Sequence, residues 1–179
     1  LRVRAIRLPG RLRRLLAVIS LLLLTACRAL ETQATALERA GAWVFPGEVV
    51  WFHARRDCAV LVITTLSDQL KATGGPVLVG SVGAALPRLA ARQTVAFNMP
   101  GLTPNDVSQR LMSRDLPTGL GLLGSFLNPA KRCLDEAGGL AVQRALLSPD
   151  AVLIFDPAAR ALGLFHRSEG RLYFLRTGV

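Results

Sequence analysis

The chain has 179 residues, 51% of them hydrophobic, and a formal net charge of +10 at pH 7. This length suits one domain of ordinary size and not two. The first 26 residues carry six arginines and no acidic residue, which leaves 16 basic and 12 acidic side chains in the remainder. Because the excess charge is concentrated in one terminal segment, we do not interpret it as nucleic-acid binding and expect no nucleic-acid partner.

The first 26 residues have the pattern of an export signal. Six arginines, the last of them Arg14, precede an apolar run from Leu15 to Leu24. A membrane-spanning helix needs about 20 apolar residues, so this run is too short for a permanent anchor. The basic segment, the short apolar segment and the small residues that follow together predict a cleaved signal peptide over residues 1–26.

A cysteine follows the apolar run, in the order Leu24-Thr25-Ala26-Cys27. An aliphatic residue, two small residues and a cysteine resemble the lipobox of bacterial lipoproteins. The resemblance implies that the thiolate of Cys27 is diacylglycerated, that the chain is cut after Ala26, and that the new amine is open to acylation. Each buried methylene contributes about 0.8 kcal/mol, so two or three acyl chains attach a protein firmly to a membrane. An ordinary secretory signal and an uncleaved signal anchor are the alternatives.

The residue after the cysteine bears on the membrane of residence. In the sorting rule of the lipoprotein class, an aspartate at this position retains the protein at the inner membrane. Arg28 stands there instead. The resemblance therefore implies a lipid-anchored envelope protein, held at the outer membrane and facing the periplasm.

A short amphipathic helix is predicted directly after the anchor. Over Arg28 to Ala40, the apolar residues Leu30, Ala34 and Leu37 recur at helical spacing, and Gly41 ends the pattern. We expect residues 27–41 to form the lipidated cysteine and a helical tether that keeps the domain close to its membrane.

Aromatic residues are concentrated between Ala42 and Ala54. Pro46-Gly47 predicts a turn, and Val49 to His53 predicts a strand. We expect the rings to form part of the core, because such residues are usually buried. If they were exposed, they would indicate a binding surface.

Short strands and helices alternate through the middle of the chain. We expect a buried strand at Cys58 to Thr65 and a helical turn at Ser67 to Lys71. Two further strands are expected at Val77 to Val82 and at Gln93 to Asn98. The segment Ala84 to Arg92 has helical composition interrupted by Pro87, and we leave it open.

Two helix starts are predicted next. Thr103 is the N-cap of the first, with Pro104 at N1 and Asp106 at N3, and this helix runs to about Arg114. Asn128-Pro129 starts a second helix through Cys133 and Leu134. Gly138-Gly139 then interrupts it, before Leu140 to Leu147 resumes.

Three apolar runs near the end of the chain predict an antiparallel meander: Ala151 to Phe155, Ala161 to His166, and Arg171 to Arg176. Tight turns separate them. The expected fold class is therefore α+β, a single small domain over residues 42–179 with several short helices and a C-terminal three-stranded antiparallel meander.

Cys58 and Cys133 are predicted to form a disulfide. An exported chain reaches an oxidising compartment, and the lipobox accounts for the third cysteine. The alternative is a metal site that also uses His53 and His166, but no CxxC or HxxxH spacing supports it, and we expect no metal and no cofactor.

Catalytic motifs are scarce. Gly119 to Gly124 matches G-x-G-x-x-G, but no strand precedes it, so we expect a glycine-rich turn or a closely packed helix start. No G-x-S-x-G, S-x-x-K or HExxH occurs. His53 and His166 are the only histidines, and we expect them to be orienting or core residues.

The expected function is binding or scaffolding in the periplasm in preference to catalysis, with an envelope protein or the cell wall as partner. One alternative is an exported hydrolase of cell-wall or lipid substrates that uses one of the histidines. Another is an accessory subunit of an envelope transport or assembly complex, which a large exposed apolar patch would favour.

Overall fold

A computed structural model describes residues 30–178, apart from the side chains of residues 118–121. The predicted signal, the lipobox and Arg28 lie outside the described residues. The described residues form five helices: α1 (Gln33–Gly41), α2 (Val82–Ala90), α3 (Pro104–Arg114), α4 (Leu116–Ala130) and α5 (Glu136–Leu146). Seven strands are present: β1 (Pro46–Ala54), β2 (Cys58–Thr65), β3 (Val77–Val79), β4 (Val95–Phe97), β5 (Ala151–Asp156), β6 (Ala161–His166) and β7 (Arg171–Thr177).

The strands form one sheet in the order β1-β2-β7-β6-β5-β4-β3. Neighbouring strands are antiparallel, apart from the parallel pair β3 and β4. The α+β class is confirmed, and so is the C-terminal meander, which is formed by β5, β6 and β7.

The sheet is covered on both faces. One face packs against α2 to α5, and the other packs against α1. Strand β7 shows the alternation that this requires, because Leu172 and Phe174 belong to the α1 side while Tyr173 and Leu175 belong to the side of the other helices.

Helix α1 begins later than predicted and buries a different face. Thr32 caps it through a reciprocal capping box with Thr35. Ala36 and Ala40 are buried, whereas Leu30 precedes the helix and is 53% exposed. The small alanine side chains let the helix approach the sheet closely. Of the expected face, Leu37 packs against this side of the core, whereas Leu30 and Ala34 are exposed.

The segment between β2 and β4 also departs from expectation. Residues 67–71 form no helical turn, since the Ser67 hydroxyl accepts from the backbone of Gln69 and the Lys71 backbone donates to Trp43. The strand predicted to reach Val82 stops at Val79, because Ser81 caps α2. That helix includes Pro87, so most of the segment Ala84 to Arg92, whose structure the sequence does not decide, is helical.

The start of α3 is confirmed in detail. Thr103 accepts from the backbone of Asp106, whose carboxylate accepts from the Thr103 backbone and hydroxyl, and Pro104 is the first helical residue. Hydrogen bonding lowers the pKa of Asp106, first through the Thr103 backbone N–H and then through its hydroxyl.

The boundaries predicted around Asn128-Pro129 are wrong. These residues lie near the end of α4, and the next helix begins at Glu136. Asp135 is its N-cap, with a carboxylate that accepts from Gly138 at 2.7 Å, and the helix passes through the glycine pair without a break. Gly119 to Gly124 lies within α4, so the predicted glycine-rich turn is also wrong. The segment is helical as the other alternative expected, but a Cβ on Gly124 would meet nothing within 4 Å, so close packing is not found there.

Cys58 and Cys133 form the predicted disulfide. It joins the first residue of β2 to the segment between α4 and α5, with a Cα–Cα distance of 6.2 Å across a separation of 75 residues. Both residues are buried. The bond therefore ties the helical layer to one end of the sheet.

Candidate functional site

The two histidines are not brought together. His53 pairs with Val60 near one end of the sheet, where its Nε2 accepts from Arg55 Nε at 3.2 Å. His166 pairs with Arg171 at the opposite end. Within residues 30–178, no three His, Cys, Asp or Glu side chains are grouped as a metal ion would require. The alternative of a metal site built on both histidines is therefore wrong.

His166 takes part in a polar cluster at the turn between β6 and β7. Its Nδ1 lies 3.4 Å from the Ser168 hydroxyl, which donates to Asp150 Oδ2 at 3.1 Å. On the other side, Nε2 lies 3.8 Å from Glu169 Oε1. A serine nucleophile passes its proton to the histidine, whereas this hydroxyl directs its proton to a carboxylate. The contacts fit the bracing of an exposed turn.

A cleft of about 290 Å³ lies where the helical layer stops short of β1. We call it the Trp51 cleft. Val62 and Tyr173 contribute to it from the sheet, and α5 contributes Ala141 on the opposite side. The remaining lining residues are Val50, Leu134, Asp135, Ala137, Gly138, Arg144 and Arg171.

An irregularity in β1 exposes Trp51. The register shifts between Val49 and Trp51, and the consecutive residues Val50 and Trp51 are 50% and 38% exposed. The expectation that the rings form the core is therefore only partly right. Trp43 is buried and packs against Phe174 at 5.2 Å between ring centroids, but Phe45 is also exposed.

Charge is distributed unevenly around the cleft. Arg144 and Arg171 supply two cations, while the carboxylate of Asp135 is engaged at the start of α5. The Tyr173 hydroxyl donates to Glu169 Oε2 at 3.5 Å. Burial raises the pKa of Tyr173, and the Glu169 carboxylate raises it further, so the phenol stays protonated at neutral pH.

The Trp51 cleft suits binding better than catalysis. It offers apolar side chains, one hydroxyl and two guanidinium groups, the combination that receives a ligand with an apolar part and an anionic group. Among the described residues that line it there is no serine, cysteine or histidine. Sequence reasoning missed this site. The usable signal was the unbroken apolar run Val49 to Phe52, which does not alternate as a regular half-buried strand does.

The start of the described chain is fixed to the sheet. Glu31 is only 6% exposed and forms an ion pair with Arg176 of β7 through Oε2. Its Oε1 lies 3.3 Å from Arg39 Nε. Burial lowers the pKa of Arg176, which remains charged because an arginine pKa lies far above neutral. Glu31, the residue held in this way, is four residues after Cys27 in the sequence.

Comparison of the chain with protein-family models, with curated proteins and with solved structures finds no match. Across residues 30–178, no helix has both the length and the apolar character needed to cross a membrane.

Proposed function

We propose that this chain is a bacterial envelope lipoprotein, attached by acyl chains on Cys27, with a domain that binds a ligand or partner in the periplasm. The observation that carries the proposal is the order Leu24-Thr25-Ala26-Cys27 directly after a basic segment and a short apolar run. Arg28 favours residence at the outer membrane.

The position of Glu31 supports a close attachment. An extended chain advances at most about 3.6 Å per residue, so Cys27 lies within about 14 Å of Glu31. Because Glu31 is held by Arg176, the domain sits against the bilayer instead of at the end of a long linker.

The Trp51 cleft supports binding as the activity of the domain. Two arginines and an exposed indole indicate a ligand that combines an apolar segment with a carboxylate or phosphate. The polar cluster at His166 involves Ser168 and Asp150, and the turn between β6 and β7 explains its contacts without a catalytic role.

The test of attachment compares the full chain with the Cys27→Ala variant in a bacterial host, using a palmitate analogue for metabolic labelling. We expect label on the wild-type protein, loss of label in the variant, and loss of the variant from the outer-membrane fraction. Absence of label from the wild-type protein would contradict the proposal. The domain remains intact in both proteins, because Cys58 and Cys133 are untouched.

A further inference from the structure

One end of the sheet carries an excess of positive charge. The β1–β2 turn places Arg55 and Arg56 there, and the β5–β6 turn adds Arg160. All three side chains belong to exposed residues. We call this surface the arginine end.

Backbone contacts hold the two turns and the end of β7 together. Gly178 donates to the Asp57 carbonyl at 3.3 Å, and Thr177 donates to the Arg160 carbonyl at 3.3 Å. A Cβ on Gly178 would lie 2.8 Å from an Arg160 guanidinium nitrogen. The arginines therefore share one continuous surface.

The neighbouring carboxylates are already engaged. Asp57 forms an ion pair with Arg132, and Glu31 forms one with Arg176. Asp156 accepts from Thr94 at 3.0 Å and from the Ala159 backbone at 2.8 Å.

The three arginines keep their charge available. Within residues 30–178, Arg55, Arg56 and Arg160 form no ion pair with a carboxylate. Such unpaired guanidinium groups are free to contact an external anion.

The arginine end is also the end of the sheet nearest the predicted anchor. Arg176, which holds Glu31, pairs with Ala59 and Ala161 in the last rows of the sheet on this side. Leu30, next to Glu31, is 53% exposed. The chain between Cys27 and Glu31 is short enough to keep an acylated cysteine within about 14 Å of these residues.

We propose that the arginine end docks on the surface of a bilayer that carries anionic phospholipid headgroups. The proposal rests on the lipid attachment proposed above, and it adds a second, electrostatic contact. Guanidinium groups pair well with phosphate, and basic residues close to an anionic leaflet are attracted to it over about one Debye length. Docking this way sets the orientation of the domain, with the β6–β7 turn pointing away from the membrane.

Hydrogen exchange of the whole lipidated protein in vesicles tests the proposal. Vesicles are made of phosphatidylcholine alone or of equal parts phosphatidylcholine and phosphatidylglycerol. We expect slower amide exchange at residues 55–58 and 158–160 in the anionic vesicles only, reversed at about 1 M salt, where the Debye length is about 3 Å. The turn at residues 167–170 serves as the internal reference and should not respond.

Two double variants distinguish the effect of the arginine end from the effect of net charge. Arg55→Gln with Arg56→Gln should weaken the docking equilibrium about 25-fold and so remove most of the added protection, since each arginine contributes about fivefold near an anionic surface. Arg110→Gln with Arg114→Gln removes the same charge from exposed positions on α3 and should change nothing. Thermal unfolding of both variants checks that the fold is retained.

Equal protection in both vesicle types, or equal loss in both double variants, would overturn the proposal. So would protection by a soluble polyanion such as heparin without protection by anionic vesicles, since that result identifies an envelope polymer as the partner. Failure of Cys27 to take up palmitate is a separate result and overturns the attachment itself.

Discussion

Glu31 and Arg176 form an ion pair that joins the segment before α1 to β7, the last of the described strands. The Arg176 side chain also donates from Nε to the Ala159 carbonyl at 3.0 Å. One guanidinium group thus connects the segment before α1, strand β7 and the β5–β6 turn.

Removing one partner of this pair should destabilise the fold. Because Glu31 is buried, we expect Glu31→Gln to lower the free energy of unfolding by about 1.5–3 kcal/mol, the range for a hydrogen bond to a charged group. Denaturant unfolding measures the change. Glu38→Gln, at an exposed position on the neighbouring helix α1, is the matched control and should fall within about 0.5 kcal/mol of wild type. Equal effects in the two variants would show that the pair does not stabilise the fold.

The disulfide should make a large contribution to stability. Its loop of 75 residues corresponds to about 4 kcal/mol in the chain-entropy model. We expect Cys58→Ala with Cys133→Ala to lower the denaturant midpoint accordingly. Alkylation of the unfolded protein should add mass at both cysteines only after reduction. Full alkylation without a reductant would show that the bond is absent from the exported protein.

Acid stability should depend on the cap of α3. The lowered pKa of Asp106 means that its stabilising effect is complete above its ordinary pKa and is lost as the pH falls through the folded value. We expect Asp106→Asn to flatten the fall in unfolding free energy as the pH drops below the ordinary pKa of an aspartate. Thr103→Ala should lower the free energy of unfolding by about 1 kcal/mol at neutral pH, and Thr103→Ser should keep it close to the wild-type value. An unchanged acid profile in Asp106→Asn would contradict the assignment.

Close packing at Gly163 should exclude a larger residue. A Cβ there would lie 2.7 Å from the Trp43 ring, so we expect Gly163→Ala to destabilise the protein by about 1–3 kcal/mol. Gly139→Ala meets nothing within 4 Å in α5 and should stabilise it by up to about 1 kcal/mol. Thermal unfolding of the two variants measures whether each substitution destabilises or stabilises the protein. A Gly163→Ala variant more stable than wild type would contradict the close packing of Trp43 on Gly163.

The Trp51 cleft should bind apolar anions. The probe anilinonaphthalene sulfonate combines aromatic rings with a sulfonate group, and its fluorescence rises on binding to an apolar site. We expect Trp51→Ala and Arg144→Ala each to weaken its binding by several-fold with little loss of stability, because both residues are exposed. Phe45→Ala removes an exposed ring outside the cleft and is the control. Equal affinity in all three variants would place the probe elsewhere.

Local signals in the sequence were sufficient for some elements. The start of α3 depends on contacts within three residues, from Thr103 to Asp106, and the meander depends on tight turns between adjacent strands. Such features need no knowledge of the rest of the fold, and both were predicted correctly.

Other features depended on distant partners. Two places in this region have residues that commonly start a helix, namely Asn128-Pro129 and Asp135. Only Asp135 starts one, because the packing of α4 and α5 on the sheet determines where each helix begins. Trp51 lies on an edge strand, because β7 pairs with β2 and leaves β1 with one neighbour, and β7 is more than 100 residues further along the chain. The apolar run Val49 to Phe52 indicates an irregular strand, but the position of the Trp51 cleft depends on that distant pairing.

If the chain is exported as proposed, the central position of β7 sets the order in which the sheet assembles. β7 lies between β2 and β6 although it is the last of the described strands. When a chain crosses a membrane from its amino terminus, β1 and β2 emerge before the other strands. Until the later strands emerge, β1 and β2 can form only an isolated hairpin, which is at best marginally stable in water. The sheet closes only when residues 171–177 arrive. On the proposed lipid attachment, the domain would therefore assemble at the membrane surface only after its last described strand has crossed.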